Sequence, residues 1–298
     1  MAPHFRRHDE SVEAGFRRIA VAEIEAAIAI IDASGPADAD KVHKVRRQMK
    51  ALRGLLRLMR PGFARFRKEN RIFRDIARSF SGMRDARVML DTFDKITARP
   101  DGQPLRAGFQ AVRERLLAAR DAHGDAASLL ANARRALVKA RDRAQGWALS
   151  EGGWALLAEG LERTYDHART AMRETMASGD AEAGHEWRKS VKYHGAQAQL
   201  LRRMKPGRLK ADMKASARLA DLLGERHDID LFLDHLAATP ARFGDIVTVT
   251  QLAALARLRI ARLERRAERL GEKLFADKPG KLADRWGDWW QDWRGANA

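Results

Sequence analysis

The sequence predicts an all-α fold, and three observations carry the prediction. Apolar residues recur at spacings of three and four through segments rich in Ala, Leu and Arg, the period and composition of amphipathic helices. β-Branched alternation is nearly absent; only Ile246–Thr250 reads as a strand, and it is short. Helix-ending signals fall at Gly35-Pro36, Pro61-Gly62, Pro100–Pro104, Gly124, Gly152-Gly153, Gly179, Pro206-Gly207, Thr239-Pro240 and Pro279-Gly280. Between these breaks fit roughly ten to twelve helices, expected as bundles with short connections.

The elements follow in an order that occurs twice. A long helix over about Asp9–Ala33 precedes the helix His43-Lys-Val-Arg46-Arg47-Gln-Met-Lys50, which runs on to Pro61-Gly62. A second basic helix leads to Ser81-Gly82-Met83-Arg84-Asp85, read as a turn, and an apolar helix Val88–Ile96 follows. The series returns as a helix over Trp154–Ala177, then His185-Glu-Trp-Arg188-Lys189-Ser-Val-Lys192, then Pro206-Gly207. A basic helix then leads to Leu223-Gly224-Glu225-Arg226-His227-Asp228 and an apolar helix Ile229–Leu236. The motif offset is 142 residues. Matching order over about 85 residues in each half marks an internal repeat. One extra residue in the second turn marks the copies as diverged duplicates. Residues 1–147 form the first repeat and 148–298 the second, with the boundary near Gly146–Gly153.

The chain has 298 residues, 57 Lys and Arg against 40 Asp and Glu, and a formal charge of +17. Such an excess repels itself in the folded state and points to an anionic partner. The absence of cysteine excludes disulfides, thiol nucleophiles and Cys-ligated zinc or iron–sulfur centres. The apolar stretch Ile24–Ile31 is too short to span a bilayer, and Phe5-Arg6-Arg7 lacks the apolar core of a signal peptide. A cytoplasmic protein without membrane attachment is expected.

On a helical wheel, Arg46, Arg47, Lys50, Arg53 and Arg57 lie within about 80° of His43, opposite Val45, Leu52, Leu55, Leu56 and Met59. From Lys41 to Arg78 there are 14 basic residues and two acids, Glu69 and Asp75. A solvated helix face usually mixes signs, because like charges one turn apart repel; no acid lies between Lys41 and Arg60. The second helix repeats the stripe with His185, Arg188, Lys189, Lys192 and Arg203, opposite Trp187, Val191, Ala198 and Leu201. Gly195, Ala196 and Gln199 thin its middle. Arg as a bidentate fork and Lys as a mobile point charge are natural phosphate partners. Histidine adds a donor that gains charge beside phosphate.

H-x-x-R-[RK]-x-x-K, occurring twice in an all-α chain and each time followed by a Gly…Asp turn, resembles the CHAD family, the conserved-histidine α-helical domain. The resemblance runs from about Ser11 to Leu270. It implies two four-helix bundles related by a pseudo-two-fold, with a basic groove or pore between them. It also implies non-catalytic binding of inorganic polyphosphate and targeting to polyphosphate granules, with no cofactor. The motif carries this role onto His43, Arg46, Arg47, Lys50, Arg53 and Arg57, and onto His185, Arg188, Lys189 and Lys192. Arg74, Arg78, Arg218 and His227, on or beside the Gly…Asp turns, join them. The departure at Gly195, where the family commonly has a basic residue, implies fewer phosphates bound by the second half. The Glu-x-Glu-x-Lys signature of the triphosphate-tunnel domain that precedes some members is absent: Glu23-Ile-Glu25 is followed by Ala26-Ala27.

Other constellations weigh less. Asp40-x-x-His43 and Glu182-x-x-His185 have the spacing of di-iron bundles, but surrounding Arg and Lys repel a dication, and first-turn acids suit the helix dipole. His227-Asp228 matches the doublet of HD-type metal phosphohydrolases, with His185 and Asp230 or Asp234 as further candidates. Trp286, Trp289, Trp290 and Trp293 form a seam on a C-terminal helix, expected to pack on the body of the protein. The helix Arg257–Arg269 interleaves Glu264 and Glu268 as a solvated face does. The main rival function is nucleic-acid binding, with other polyanions and granule proteins as further candidate partners. Base stacking calls for aromatics among the cations; Lys41–Arg60 has none, and only Tyr193, at the margin of the second stripe, could stack.

Overall fold

The computed structural model describes residues 3–98, 107–121 and 126–295, with the backbone alone described at 81–86, 107 and 120–121. Among these residues eleven α-helices and one 3₁₀ turn form an all-helical protein. They are α1 (Val12–Asp32), α2 (Ala39–Leu58), α3 (Phe66–Ser79), α4 (Ser81–Thr97), α5 (Ala107–Asp121) and α6 (Ala126–Ala144). After the link at 145–152 come α7 (Gly153–Ser178), α8 (Ala181–Leu200), α9 (Pro206–Ala238), α10 (Ile246–Leu274) and α11 (Pro279–Gly295). The expected breaks at Pro100–Pro104 and Gly124 lie outside the described residues.

The two motif helices start on caps of the same kind. Asp38 accepts from the backbone N–H groups of Asp40 and Lys41 at the head of α2, and Asp180 accepts from Ala183 N–H at the head of α8. Each satisfies donors that the helix itself leaves unpaired. Gly179, at φ +65°, ends α7 in the left-handed conformation that glycine adopts without penalty. Pro206 and Pro279 occupy first-turn positions where the missing N–H costs nothing.

Two sequence expectations are corrected. Ile246–Thr250 is not a strand but the first turn of α10: Asp245 caps it by accepting from Thr248 N–H at 2.7 Å, and the helical period beyond it prevails. Neither Gly…Asp segment is a turn. Ser81–Asp85 starts α4, and Leu223–Asp228 lies inside α9, which runs unbroken for 33 residues. Gly224 is there for contact: a Cβ on it would stand 3.2 Å from the Arg188 Nε. In the first half the break comes at buried Phe80, between α3 and α4. There α4 leaves α3 to pack on α5, α9 and α10.

The core is one contiguous cluster. α1 packs on α2 and α6, α7 on α8 and α11, and α8 on α9. α2 joins the halves by packing on both α7 and α8. The stripes' expected apolar faces are interior: Val45, Leu52, Leu55, Leu56 and Met59 on α2, and Trp187, Val191, Ala198 and Leu201 at α8, are all buried. Trp286 and Trp290 are buried as the seam required, and Gly287 lets α11 close onto Trp154 of α7.

Candidate anion-binding surface

α2 crosses α8 where Gly54 meets Ala196. A Cβ on Gly54 would lie 2.7 Å from the Ala196 Cβ, so only glycine allows the two helices this close. The two positions are 142 residues apart, the spacing of the two motifs. The contact brings the end of the α2 row onto α8. The Arg57 guanidinium stacks on the Tyr193 ring at 4.1 Å from its centroid, with Arg53 at 5.8 Å. Tyr193 is therefore not at the margin of the second stripe. Its side chain is buried beneath the arginines of the first.

Along α2, His43, Arg47 and Lys50 are exposed, and Arg46, Arg53 and Arg57 are half-buried. Burial, then the charges of Lys50 and Arg47, push the His43 imidazole below its ordinary pKa. Burial, then Arg57 and Arg74, push Arg53 down from the usual guanidinium value, with the Tyr193 ring opposing. This places Arg74 of α3 beside the α2 row. Of its neighbouring acids, Glu69 is fully buried under a bidentate bond from Arg143 of α6, while Asp75 pairs with Arg74 and its charge also favours the Arg53 guanidinium.

On α8, His185, Arg188, Lys189 and Lys192 are all half-buried. The His185 ring lies 4.4 Å from that of His227 on α9, and burial, followed by Lys189 and Arg188, holds it below the ordinary imidazole pKa. Lys189 bonds to Glu186. Asp230, a candidate partner of the His227-Asp228 doublet, is engaged with Arg226 at 3.4 Å. Arg226 is itself buried: it donates to the carbonyls of Gly179 and Asp180 at the end of α7 and to Glu264 of α10. So α10 is more than a solvated face, since Glu264 completes this cluster.

Arg203, Arg78 and Arg218 stand apart. α8 ends at Leu200, so Arg203 lies in the turn before α9 and not on the stripe helix. Arg78 and Arg218 are exposed on α3 and α9. Among the described residues no hydrogen bond, ion pair or ring contact joins these three to the rows.

The sequence reading missed a group on the far side of α2. Arg57 and Arg60 line a cavity of about 310 Å³ with Arg163 and His167 of α7 and Ser190 and Tyr193 of α8. Arg163 and His167 sit one turn apart on a helix that no motif marks. Their relevance follows only from α7 packing under α2, where a Cβ on Gly160 would lie 2.0 Å from the Leu58 carbonyl oxygen.

The arrangement is a cationic surface of guanidinium, ammonium and imidazole groups on a helical frame. The chain belongs to the CHAD family, whose domain model matches residues 20–237. No curated protein and no solved structure matches it. Among the described residues no helix is long and apolar enough to cross a membrane.

Proposed function

We propose that this chain binds inorganic polyphosphate, without catalysis, through the cation rows of α2 and α8. The observation that supports the reading is the Gly54–Ala196 crossing, where the two cation-bearing helices α2 and α8 pack directly on each other. In this reading, residues 1–147 and 148–298 are repeats related by a pseudo-two-fold near that contact, and the rows line one groove. Polyphosphate presents about one charge per phosphate on a chain without bases. Charge-assisted bonds and counterion release then supply the affinity. Burial and then cationic neighbours hold the His43 and His185 imidazoles below their ordinary pKa, and arriving phosphates oppose that shift. Association with polyphosphate granules follows from the same binding. Against nucleic acid stands Tyr193: with its ring buried and Arg57 stacked on it, it offers no face to a base.

A competition titration tests this. Long-chain polyphosphate should displace single-stranded RNA at fixed salt, and its affinity should fall steeply as salt rises. RNA binding as tight as polyphosphate, or a salt-independent affinity, would reject the reading.

A further inference from the structure

We infer that the cavity between α2, α7 and α8 is a separate phosphate pocket, which takes the ends of polyphosphate chains and short polyphosphates such as tripolyphosphate. The inference rests on the polyphosphate reading and adds to it a site of its own.

Of the cavity's basic groups only Arg57 belongs to the α2 row; Arg60, Arg163 and His167 come from outside it. Arg57 is the last cation of α2 and Arg60 follows just beyond its end, so a chain following that row arrives here. It can go no further along α2, because the Leu58 backbone rests on Gly160 of α7. Buried Thr164 and Ser190 form the floor. The cavity holds about ten water volumes, room for roughly two or three phosphate groups.

Its electrostatics favour a dense anion. Burial, then Arg163 and Arg57, push the Arg60 guanidinium below its ordinary pKa, a mutual repulsion that an anion between them relieves. Stacking on Tyr193 fixes the Arg57 plane, and its buried Nε has no hydrogen-bond acceptor among the described residues. Arg163 pairs with Glu159 at 2.7 Å and His167 approaches Glu186 at 3.9 Å. The Arg163–Glu159 pair is exposed and His167 is the exposed member of its pair, and such pairs yield readily to a stronger partner. Asp166 also lines the cavity and works against an anion. A terminal phosphate, whose second ionisation lies near ~6, carries nearly two charges at neutral pH, against about one for an internal phosphate. The chain end is therefore the part of the ligand that this cluster selects.

The test is calorimetric titration of the whole protein and of the double variant Arg163→Ala/His167→Ala, with tripolyphosphate and with long-chain polyphosphate. Both side chains are exposed, so the variant keeps its fold, checked by circular dichroism. Its affinity for tripolyphosphate should fall about tenfold or more, and for the long chain about threefold or less. In ³¹P spectra of the wild-type complex the terminal resonances should shift more than the internal one. If the wild type ignores tripolyphosphate, or the variant loses both ligands equally or neither, the pocket is overturned. Failure of the wild type to bind the long chain as well would instead bring down the polyphosphate reading itself.

Discussion

Two cavities beside α2 and α8 occupy matching positions and have different fates. Thr164, Ser190, Tyr193 and Arg57 line the one described above, while Ala22, Gln48, Ala51 and Gln199 line a larger one of about 670 Å³ between α1, α2 and α8. Each residue of one set stands 142 positions from a residue of the other. Arg60 faces its cavity, but Arg202, its counterpart 142 residues on, donates to the Pro3 carbonyl at 2.8 Å. Pro3, His4 and Arg6 then line the larger cavity, and the Phe5 N–H donates to the Leu200 carbonyl at 2.9 Å. One copy of the geometry holds the chain's own N-terminal segment, and the other presents its cations to solvent.

The rows diverge in the same way. Arg53 corresponds to Gly195 and Arg74 to Ser216. Between α2 and α3 the pair is two cations, with the Arg53 Nε bonded to Asn70 at 3.1 Å. Between α8 and α9 it is a close approach, where a Cβ on Gly195 would lie 2.9 Å from the Ser216 Cβ. The α2–α3 pair uses the position for charge and the α8–α9 pair for packing. This is the physical reason the second stripe is thin.

The largest expected effect tests whether the two rows act as one surface. Lys50→Ala with Lys192→Ala should weaken long-chain polyphosphate binding by about a hundredfold, more than either change alone, and reduce the salt slope by about two. The control Arg262→Ala with Arg266→Ala removes the same charge from α10. Equal loss in the control means that binding follows net charge alone.

Next, Gly195→Lys restores a cation to the thin row but forces α8 off α9. Overpacking of this kind costs about 1–3 kcal/mol. The melting temperature should drop, and Ser216→Gly in the same chain should recover part of the loss. Full stability in Gly195→Lys would show that α9 has room to move.

A smaller effect belongs to the larger cavity. Burial raises the Glu23 carboxyl from 4.5 to about 7, with Arg47 opposing the shift. The native state then binds an extra proton between those values, so stability falls as pH rises through that window and is lowest above it. Glu23→Gln should raise the melting temperature at pH 8, by ~1–2 kcal/mol of stability, and change little at pH 4. A gain independent of pH contradicts this account.

The smallest change concerns the link between the rows. Tyr193→Leu keeps an apolar side chain at this buried position but removes the ring, and with it the cation–π contact with Arg57, worth ~0.5–1 kcal/mol. Polyphosphate affinity should fall only severalfold in titration. A loss as large as that of the lysine pair would mean that Tyr193 orders the whole row.

The sequence by itself determined the helical class, the apolar faces of α2 and α8, and most of the cation rows. These depend on period and composition, which are local properties. It misread Leu223–Asp228 as a turn, because a Gly beside polar residues signals a chain break equally well when its role is to admit the Arg188 side chain. It gave Ile246–Thr250 to a strand, because five residues cannot show the helical period that the rest of α10 supplies. Only the tertiary structure decided that Tyr193 lies under Arg57, that Arg163 and His167 join Arg60, and that Arg202 is occupied by the N-terminal segment. Each of these depends on which helix packs against which. The close contacts of Gly54 with the Ala196 Cβ and of Gly160 with the Leu58 backbone join residues more than a hundred positions apart in the chain.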